Sequence, residues 1–330
     1  MYIDPCDECN GERRDFLKGL TLAATGLATA GPAAAQSAPV PPAQAGPMLP
    51  TVPFGKHRIT RLIAGANPIY GYSHFNHIFS AHMVEYHTTE RVLAFLEQLE
   101  RAGLNTWQAS WSERLENDWL RYKDHGGKLQ LLVLSRPTFN DQPEMLQRVM
   151  KLKPMGIAQH GSRTNQYWEA GELDRSLDYL KRIVDTGAMV GLSGHNPREI
   201  EYSEDKGWPV DYYMTCLYYM NRSRQTIEKL LGDLPLGEVY LASDPPKMMA
   251  TIRQVKKPCL AYKVYAAGRT ISSPQQIRER LAAALTGIKP GDAVIVGMYQ
   301  RFSDQIGQNA QLVREILSGA PRRPVSTGSL

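Results

Sequence analysis

The sequence has few of the features that mark disulfide-stabilised, nucleic-acid-binding or membrane-spanning proteins. It contains four cysteines in 330 residues. Cys6 and Cys9 lie at the extreme N-terminus, while Cys216 and Cys259 lie in apolar runs and predict buried thiols rather than a disulfide scaffold. The net charge is +5, with Lys and Arg spread along the chain, so no basic stripe indicates nucleic-acid binding. No segment resembles the roughly 20 apolar residues that a stable membrane span needs.

The N-terminus carries an export pattern. Residues 13–18 read RRDFLK, a twin-arginine core, and are followed by the uncharged stretch 19–35, which ends in three alanines. This order of regions predicts a Tat signal peptide over residues 1–35, with the Tat translocase as a partner during export and a periplasmic or secreted location. The Pro- and Ala-rich residues 36–54 predict a flexible linker, and residues 319–330 a disordered tail.

Between these ends, short apolar runs alternate with segments of helical periodicity. The predicted strands are residues 61–66, 104–109, 129–135, 156–160, 188–193, 212–217, 259–264 and 293–297. The predicted helices are residues 88–102, 114–122, 142–150, 172–186, 197–203, 245–255, 274–285 and 304–317. Eight such units predict a single-domain (β/α)8 TIM barrel over residues 55–318. An open doubly wound sheet is the alternative, but no GxGxxG motif follows the first strand.

Four motifs, in order along the chain, resemble the aldo/keto reductase superfamily. They are GKHRITRL at residues 55–62 with Gly65, AGLNTW at 102–107, VGLSGHN at 190–196, and AVIVG at 293–297 followed by Gln308 and Asn309. The resemblance implies an aldo/keto-reductase-like barrel and an oxidoreductase acting on carbonyl compounds.

The superfamily uses an Asp, Tyr, Lys and His tetrad, and this sequence keeps only part of it. Gln108 stands at the position of the Asp, Trp111 near that of the Tyr, and Ser135 or Arg136 near that of the Lys. Only His160 matches its counterpart. Because the Tyr is the general acid, the resemblance implies a divergent member with a non-standard acid/base set centred on His160.

The resemblance also implies a nicotinamide nucleotide, NADP or NAD. Its predicted ligands are Gly297, Arg301, Gln305, Gln308 and Asn309, and the alternative is a plain eighth helix with polar outer residues. A metal ion is the other cofactor considered, because imidazole is a common metal ligand. The loop at residues 71–88 holds His74, His77, His82 and His87, which could join His160 and His195, but no tight ligand spacing supports this.

Residues at strand ends are the candidates for chemistry, since a barrel's active site lies at the carboxyl ends of its strands. The predicted catalytic residues are His160, His195 and Lys263, and the predicted substrate-binding residues are Asn67, His74, Trp111, Tyr218 and Arg269. Lys263 could be a base, a phosphate anchor or a Schiff-base nucleophile, and strand alternation places Tyr262 on the opposite face. The alternative to a catalytic role is a structural one, as a residue of the barrel rim or, for His195, as a helix cap.

These observations leave three hypotheses. The first is an exported aldo/keto-reductase-like enzyme acting on a small polar carbonyl or carbohydrate-type substrate. The second is a non-redox isomerase, epimerase or lyase that uses Lys263 or a histidine-bound metal. The third is a ligand-binding barrel without catalysis.

Overall fold

The computed structural model describes residues 46–319. The predicted signal peptide, the first part of the predicted linker and residues 320–330 of the predicted tail lie outside this range, so export remains a prediction. Regular structure begins inside the predicted linker, because strand β1 (Thr51–Phe54) pairs antiparallel with β2 (His57–Thr60). None of the helices between residues 46 and 319 is long and apolar enough to cross a membrane.

Eight parallel strands form a closed barrel, which confirms the predicted fold and rules out the open sheet. They are β3 (Leu62–Gly65), β4 (Thr106–Ser110), β5 (Gln130–Leu134), β6 (Gly156–Gln159), β7 (Met189–Gly194), β8 (Tyr212–Cys216), β9 (Cys259–Tyr262) and β10 (Ala293–Gly297). The barrel closes where β10 pairs with β3, with Val294 opposite Leu62 and Gly297 opposite Gly65. All eight strands were expected because apolar β-branched runs suit strands that are buried on both faces.

Eleven α-helices lie within the described residues. They are α1 (His77–Tyr86), α2 (Thr89–Arg101), α3 (Glu113–Asp124), α4 (Glu144–Met150), α5 (Gly161–Glu169), α6 (Ser176–Asp185), α7 (Pro197–Asp205), α8 (Arg224–Leu231), α9 (Asp244–Gln254), α10 (Pro274–Gly287) and α11 (Gln305–Ser318). Helices α1, α5 and α8 were not predicted. Helix α1 buries only Met83 and carries no apolar stripe of the kind that reveals a helix in sequence. Helix α8 has Ile227, Leu230 and Leu231 at helical spacing, but it is short and buries no residue.

The hairpin β1–β2 closes the amino-terminal end of the barrel. Its Val52, Phe54 and Ile59 belong to the same buried apolar cluster as the lumen residues. Phe54 packs on Tyr212, the first residue of β8, with ring centroids 5.0 Å apart. Tyr212 needs a glycine beside it, because a Cβ at Gly191 would lie 2.4 Å from its Cζ. The lower half of the lumen is therefore a packed apolar core.

Candidate functional site

The carboxyl end of the barrel gathers titratable side chains into one cluster. We call it the mouth cluster, and it consists of His74, His160, His195, Glu238, Tyr262 and Lys263. His160 follows β6, and His195 follows β7. Tyr262 is the last residue of β9, and Lys263 follows it. His74 comes from the loop after β3, and Glu238 from the long connection between β8 and α9. Loops and strand ends thus meet where a barrel places its active site.

Lys263 is the most unusual member of the mouth cluster. Its Nζ is buried and has no hydrogen-bond partner among residues 46–319. Burial lowers the pKa of Lys263 to about 8, although nearby groups, among them Glu238, act to raise it. Thirteen buried side-chain atoms lack a partner within these residues, and the Lys263 Nζ is the only lysine amine among them. Burial of an amine without a hydrogen bond costs more than burial of a neutral group, so this one calls for a functional explanation.

The backbone at the mouth is strained at two of these residues. Lys263 has φ 61 and His74 has φ 55, both in the left-handed region that residues other than glycine seldom adopt. The left-handed turn at Lys263 interrupts strand alternation. Tyr262 contacts His195 through its hydroxyl, and the charge of Lys263 lowers the pKa of the same histidine, so both residues lie near His195. Such strain occurs preferentially at functional sites.

His74 and Glu238 form a clasp across the mouth. His74 Nδ1 lies 2.8 Å from Glu238 Oε1, and Nε2 lies 3.2 Å from Asn67 Nδ2. With Asn67 donating to Nε2, the other nitrogen carries the proton and donates to the carboxylate. The Tyr240 hydroxyl donates to Glu238 Oε2 at 3.0 Å. Burial acts to raise the pKa of Glu238, but the hydrogen bond from His74 and the charge of Lys263 help to lower it, so a carboxylate faces the amine.

His195 and Tyr262 form a second pair beside Lys263. The Tyr262 Oη lies 3.2 Å from His195 Nε2 and 3.1 Å from Ser193 Oγ, and Asn221 Nδ2 lies 3.3 Å from His195 Nδ1. Burial, followed by the charge of Lys263, holds the pKa of His195 well below its ordinary value. Burial also holds the pKa of Tyr262 well above its ordinary value. The pair is therefore a neutral imidazole and a protonated phenol.

Helix α5 brings its first residue against the His195 ring. A Cβ at Gly161 would lie 2.7 Å from His195 Cε1, so only glycine permits this approach. The preceding His160 is the N-cap of α5, and its Nδ1 accepts a hydrogen bond of 3.0 Å from the Ser162 amide. Burial and the charge of Arg136 lower the pKa of His160 to about 4. His160 is thus a neutral cap that has only Nε2 left to offer a ligand.

The predicted substrate-binding residues are only partly brought together. Asn67 and His74 bond to each other, and Arg269 donates to the His74 carbonyl oxygen at 3.0 Å and stacks 4.2 Å over the Tyr240 ring. Tyr218 packs against Tyr240, with ring centroids 5.1 Å apart. Trp111 packs instead on Phe139 and under Arg148 of α4, so it serves the layer between barrel and helices.

The other loop histidines do not reach the mouth cluster. His82 stacks between Phe79 and Phe302, and the buried His87 bonds the Met83 carbonyl oxygen at 2.9 Å. His77 is exposed. Among residues 46–319, no three His, Cys, Asp or Glu side chains lie together as a metal site requires.

The predicted nucleotide ligands are mostly engaged within the protein. Gln305 Oε1 accepts from the Tyr299 amide at 2.8 Å, and Asn309 bonds the Tyr265 hydroxyl at 2.6 Å. Arg301 lies over the Phe302 ring, while Gly297 and Gln308 are exposed. These contacts account for Gln305 and Asn309 as structural residues of the loop after β10 and of α11.

Three members of the site were missed in the sequence. Tyr262 was expected on the face opposite Lys263, and Glu238 and Tyr240 lie between α8 and α9, in a stretch that has no motif. No sequence signal distinguishes this Glu from an exposed one, because its partner His74 is 164 positions away.

Comparison with known proteins supports the barrel alone. No protein-family profile and no curated protein matches the sequence. Among solved structures, the DAHP synthase (phospho-2-dehydro-3-deoxyheptonate aldolase) of Thermotoga maritima is 14% identical over 82% of this chain and 73% of its own, with a TM-score of 0.49. Dihydropteroate synthase of Thermus thermophilus is 10% identical over 82% and 99%, with a TM-score of 0.45. The KDPGal structure is 14% identical over 78% of this chain and 91% of its own, with a TM-score of 0.38.

These findings correct the predicted family. Of these three neighbours, the two whose names state an activity are synthases, one of them also named an aldolase, and neither is an aldo/keto reductase. The assignment to the aldo/keto reductases, from which the oxidoreductase expectation came, is therefore wrong. The site gives the physical reason. Buried Gln108 and Trp111 replace the acid groups of the tetrad, and Ser135 uses its hydroxyl on the Ala158 carbonyl oxygen. The four motifs reflect barrel architecture shared by unrelated enzymes.

Proposed function

We propose that this protein is a non-redox enzyme of the lyase class in which Lys263 forms a Schiff base with a small polar carbonyl or carbohydrate-type substrate. One observation carries the proposal. The Lys263 Nζ is buried in a polar barrel mouth without a partner in the part of the chain that the structure describes, and its pKa is lowered to about 8. An amine so placed has an appreciable neutral fraction near neutral pH and is a competent nucleophile.

The first step is addition of the neutral amine to the substrate carbonyl carbon, which gives a carbinolamine. The nitrogen loses one proton, and the former carbonyl oxygen leaves as water after it has gained two. In the resulting protonated imine, the bond between the α and β carbons breaks. Its electron pair moves toward nitrogen to form the enamine, and the β-carbon leaves as an aldehyde or ketone after its hydroxyl group has given its proton to a base. The enamine that remains is then protonated on carbon, and hydrolysis of the imine returns the amine and the product.

The mouth cluster supplies groups for these proton transfers. Tyr262 keeps its proton, because its pKa is well above the ordinary value, and it is the donor to the departing oxygen. His195 is neutral and 3.2 Å from the Tyr262 hydroxyl, so it is the base that accepts the proton of the β-hydroxyl and then returns a proton to Tyr262. The carboxylate of Glu238 faces the cationic imine and stabilises its charge, while the His74 clasp holds Glu238 in place.

Reductive trapping tests the proposal directly. The protein is incubated with dihydroxyacetone, pyruvate or ribose, borohydride is added, and the intact mass is measured. We expect one adduct, which peptide mapping places on Lys263 and which Lys263→Met abolishes. Lys206→Met, an exposed lysine after α7, is the matched control and should keep the adduct. Equal labelling of Lys263→Met, or no adduct with any of the three carbonyls, contradicts the proposal.

A further inference from the structure

A cavity on the side of the barrel shares His195 with the mouth cluster. This side cleft lies between α7 and α9 and has a volume of about 590 Å³. That is within the range of about 300–1,000 Å³ typical of small-molecule sites. Two buried residues at strand ends, His195 and Cys216, belong to its wall.

The wall of the side cleft is continuous with the Lys263 site. His195, which lines the cleft, also lies 3.2 Å from the Tyr262 hydroxyl through its Nε2. Cys216, the other strand-end residue of the wall, is the register partner of Tyr262 on the adjacent strand. Lys263 directly follows Tyr262, so the His195–Tyr262 pair connects the wall of the side cleft to the residue that carries the amine.

The acidic groups of the side cleft are already occupied. Asp244 accepts from the Tyr219 amide at 3.2 Å and forms a buried ion pair with both terminal nitrogens of Arg222. Glu201 accepts from Thr251 Oγ1 at 2.7 Å and faces Arg198 at 3.7 Å. Both carboxylates are therefore committed to the protein.

Two cations at the side cleft remain available. Lys247 lines the cleft and is exposed. Its side chain makes no hydrogen bond or ion pair with any other side chain between residues 46 and 319. The Arg198 side chain is 75% exposed. Within residues 46–319, its only ion pair is the 3.7 Å contact with Glu201. The lining thus holds three cations, Arg198, Arg222 and Lys247, against two carboxylates, and the excess favours an anion.

We propose that the side cleft binds the anionic end, phosphate or carboxylate, of a substrate whose carbonyl end reaches Lys263. Lys247 and Arg198 are then specificity-determining residues that contact the anionic group. This inference rests on the proposed function, because it assigns the distal half of the same substrate. It makes the substrate class an acidic sugar or sugar phosphate rather than a neutral sugar.

The test compares matched neutral and anionic carbonyls. The half-saturating concentration for borohydride trapping is measured with ribose, ribose 5-phosphate, glucose and glucuronate. In the double variant Lys247→Glu, Arg198→Glu, we expect this concentration to rise about tenfold for the anionic probes, since each reversal replaces an attraction by a repulsion. The neutral probes should change less than twofold. A shift with ribose 5-phosphate alone assigns a phosphate, and one with glucuronate alone a carboxylate.

Two controls separate this inference from the Schiff-base proposal. Lys181→Glu makes the same charge change on exposed α6, away from the side cleft, and should leave every probe unchanged. Calorimetric titration of ribose 5-phosphate and glucuronate into Lys263→Met measures binding without the imine, and binding should weaken when Lys247→Glu is added. If the unaltered protein forms no adduct but Lys263→Met still binds ribose 5-phosphate or glucuronate, only the imine proposal is refuted. Equal shifts for neutral and anionic probes, or equal binding with and without Lys247→Glu, overturn the side-cleft proposal.

Discussion

The two ends of the barrel differ in what their residues contribute to stability. At the amino-terminal end, the hairpin β1–β2 buries Val52, Phe54 and Ile59 against the lumen, and the contacts there are apolar. At the carboxyl end, a lysine amine is buried without a partner and two residues adopt left-handed backbone. The first arrangement stabilises the fold, whereas the second costs stability and is retained where chemistry requires it. Substitutions at the two ends should therefore separate stability from function.

The largest expected effect is at Lys263. Lys263→Met should abolish the trapped adduct and all turnover that depends on it, because methionine has no nucleophile. Its melting temperature should be equal to or above that of the unaltered protein, since the variant removes a buried amine that lacks a hydrogen bond. Mass spectrometry of borohydride-treated protein and a thermal melt measure the two effects. A large loss of stability in this variant would make Lys263 a structural residue.

The opposite behaviour is expected at the amino-terminal end. Phe54→Ala removes the ring that packs 5.0 Å from Tyr212 and should lower the free energy of unfolding by about 3–5 kcal/mol. Adduct formation on Lys263 should persist at temperatures where the variant is folded. Denaturant unfolding followed by tryptophan fluorescence gives the first value, and trapping at low temperature gives the second. Loss of trapping in folded Phe54→Ala would break the division between the two ends.

Tyr262→Phe tests the proton donor in the mouth cluster. The change removes one oxygen that lies 3.2 Å from His195 and 3.1 Å from Ser193, and it leaves the ring in the lumen. We expect the rate of adduct formation to fall about a hundredfold, as is usual when a general acid is lost. Tyr213→Phe is the matched control on β8, because its hydroxyl bonds Glu204 at 2.9 Å outside the mouth. Equal rates for the two variants would remove Tyr262 from the proposed mechanism.

The fold was predictable from the sequence because each barrel strand is a short apolar run and most helices carry an apolar stripe. Lys263 was predictable as a candidate because it is a lysine inside such a run. Its backbone was not, since the strand rule assumes extended backbone and Lys263 has a left-handed φ. The family motifs misled because strand ends rich in Gly, Ser and Asn recur in unrelated barrels.

The roles of the histidines show the same limit. His160 was expected to be the central catalytic residue, and its position at a strand end is as predicted. Its hydrogen bond to Ser162 depends on α5, a helix that opens with glycine and has no sequence signature. Glu238 was missed because its importance arises only from the contact with His74, which the closed barrel creates.

Two substitutions of His160 separate capping from chemistry. His160→Ala removes the N-cap of α5 and should lower the free energy of unfolding by about 1 kcal/mol, whereas His160→Asn restores a good cap and should be close to neutral. If His160 also contacts the substrate through Nε2, both variants should lose adduct formation to a similar extent. The measurements are denaturant unfolding and trapping. Full activity in stable His160→Asn would show that His160 acts only as the cap.

The smallest expected effect is a shift in pH dependence. The rate of adduct formation should rise with pH and level off above about 8, because the neutral amine is the nucleophile and the pKa of Lys263 is about 8. The Glu238 carboxylate stabilises the ammonium and so holds this pKa up. Glu238→Gln removes that charge while keeping a hydrogen-bonding group for His74, so the pKa should fall and the midpoint should move to lower pH. Glu228→Gln, on exposed α8, is the matched control and should leave the midpoint in place. A midpoint near the ordinary lysine pKa would show that burial does not lower the pKa of Lys263. A shift to higher pH in Glu238→Gln would show that the Glu238 carboxylate does not raise that pKa.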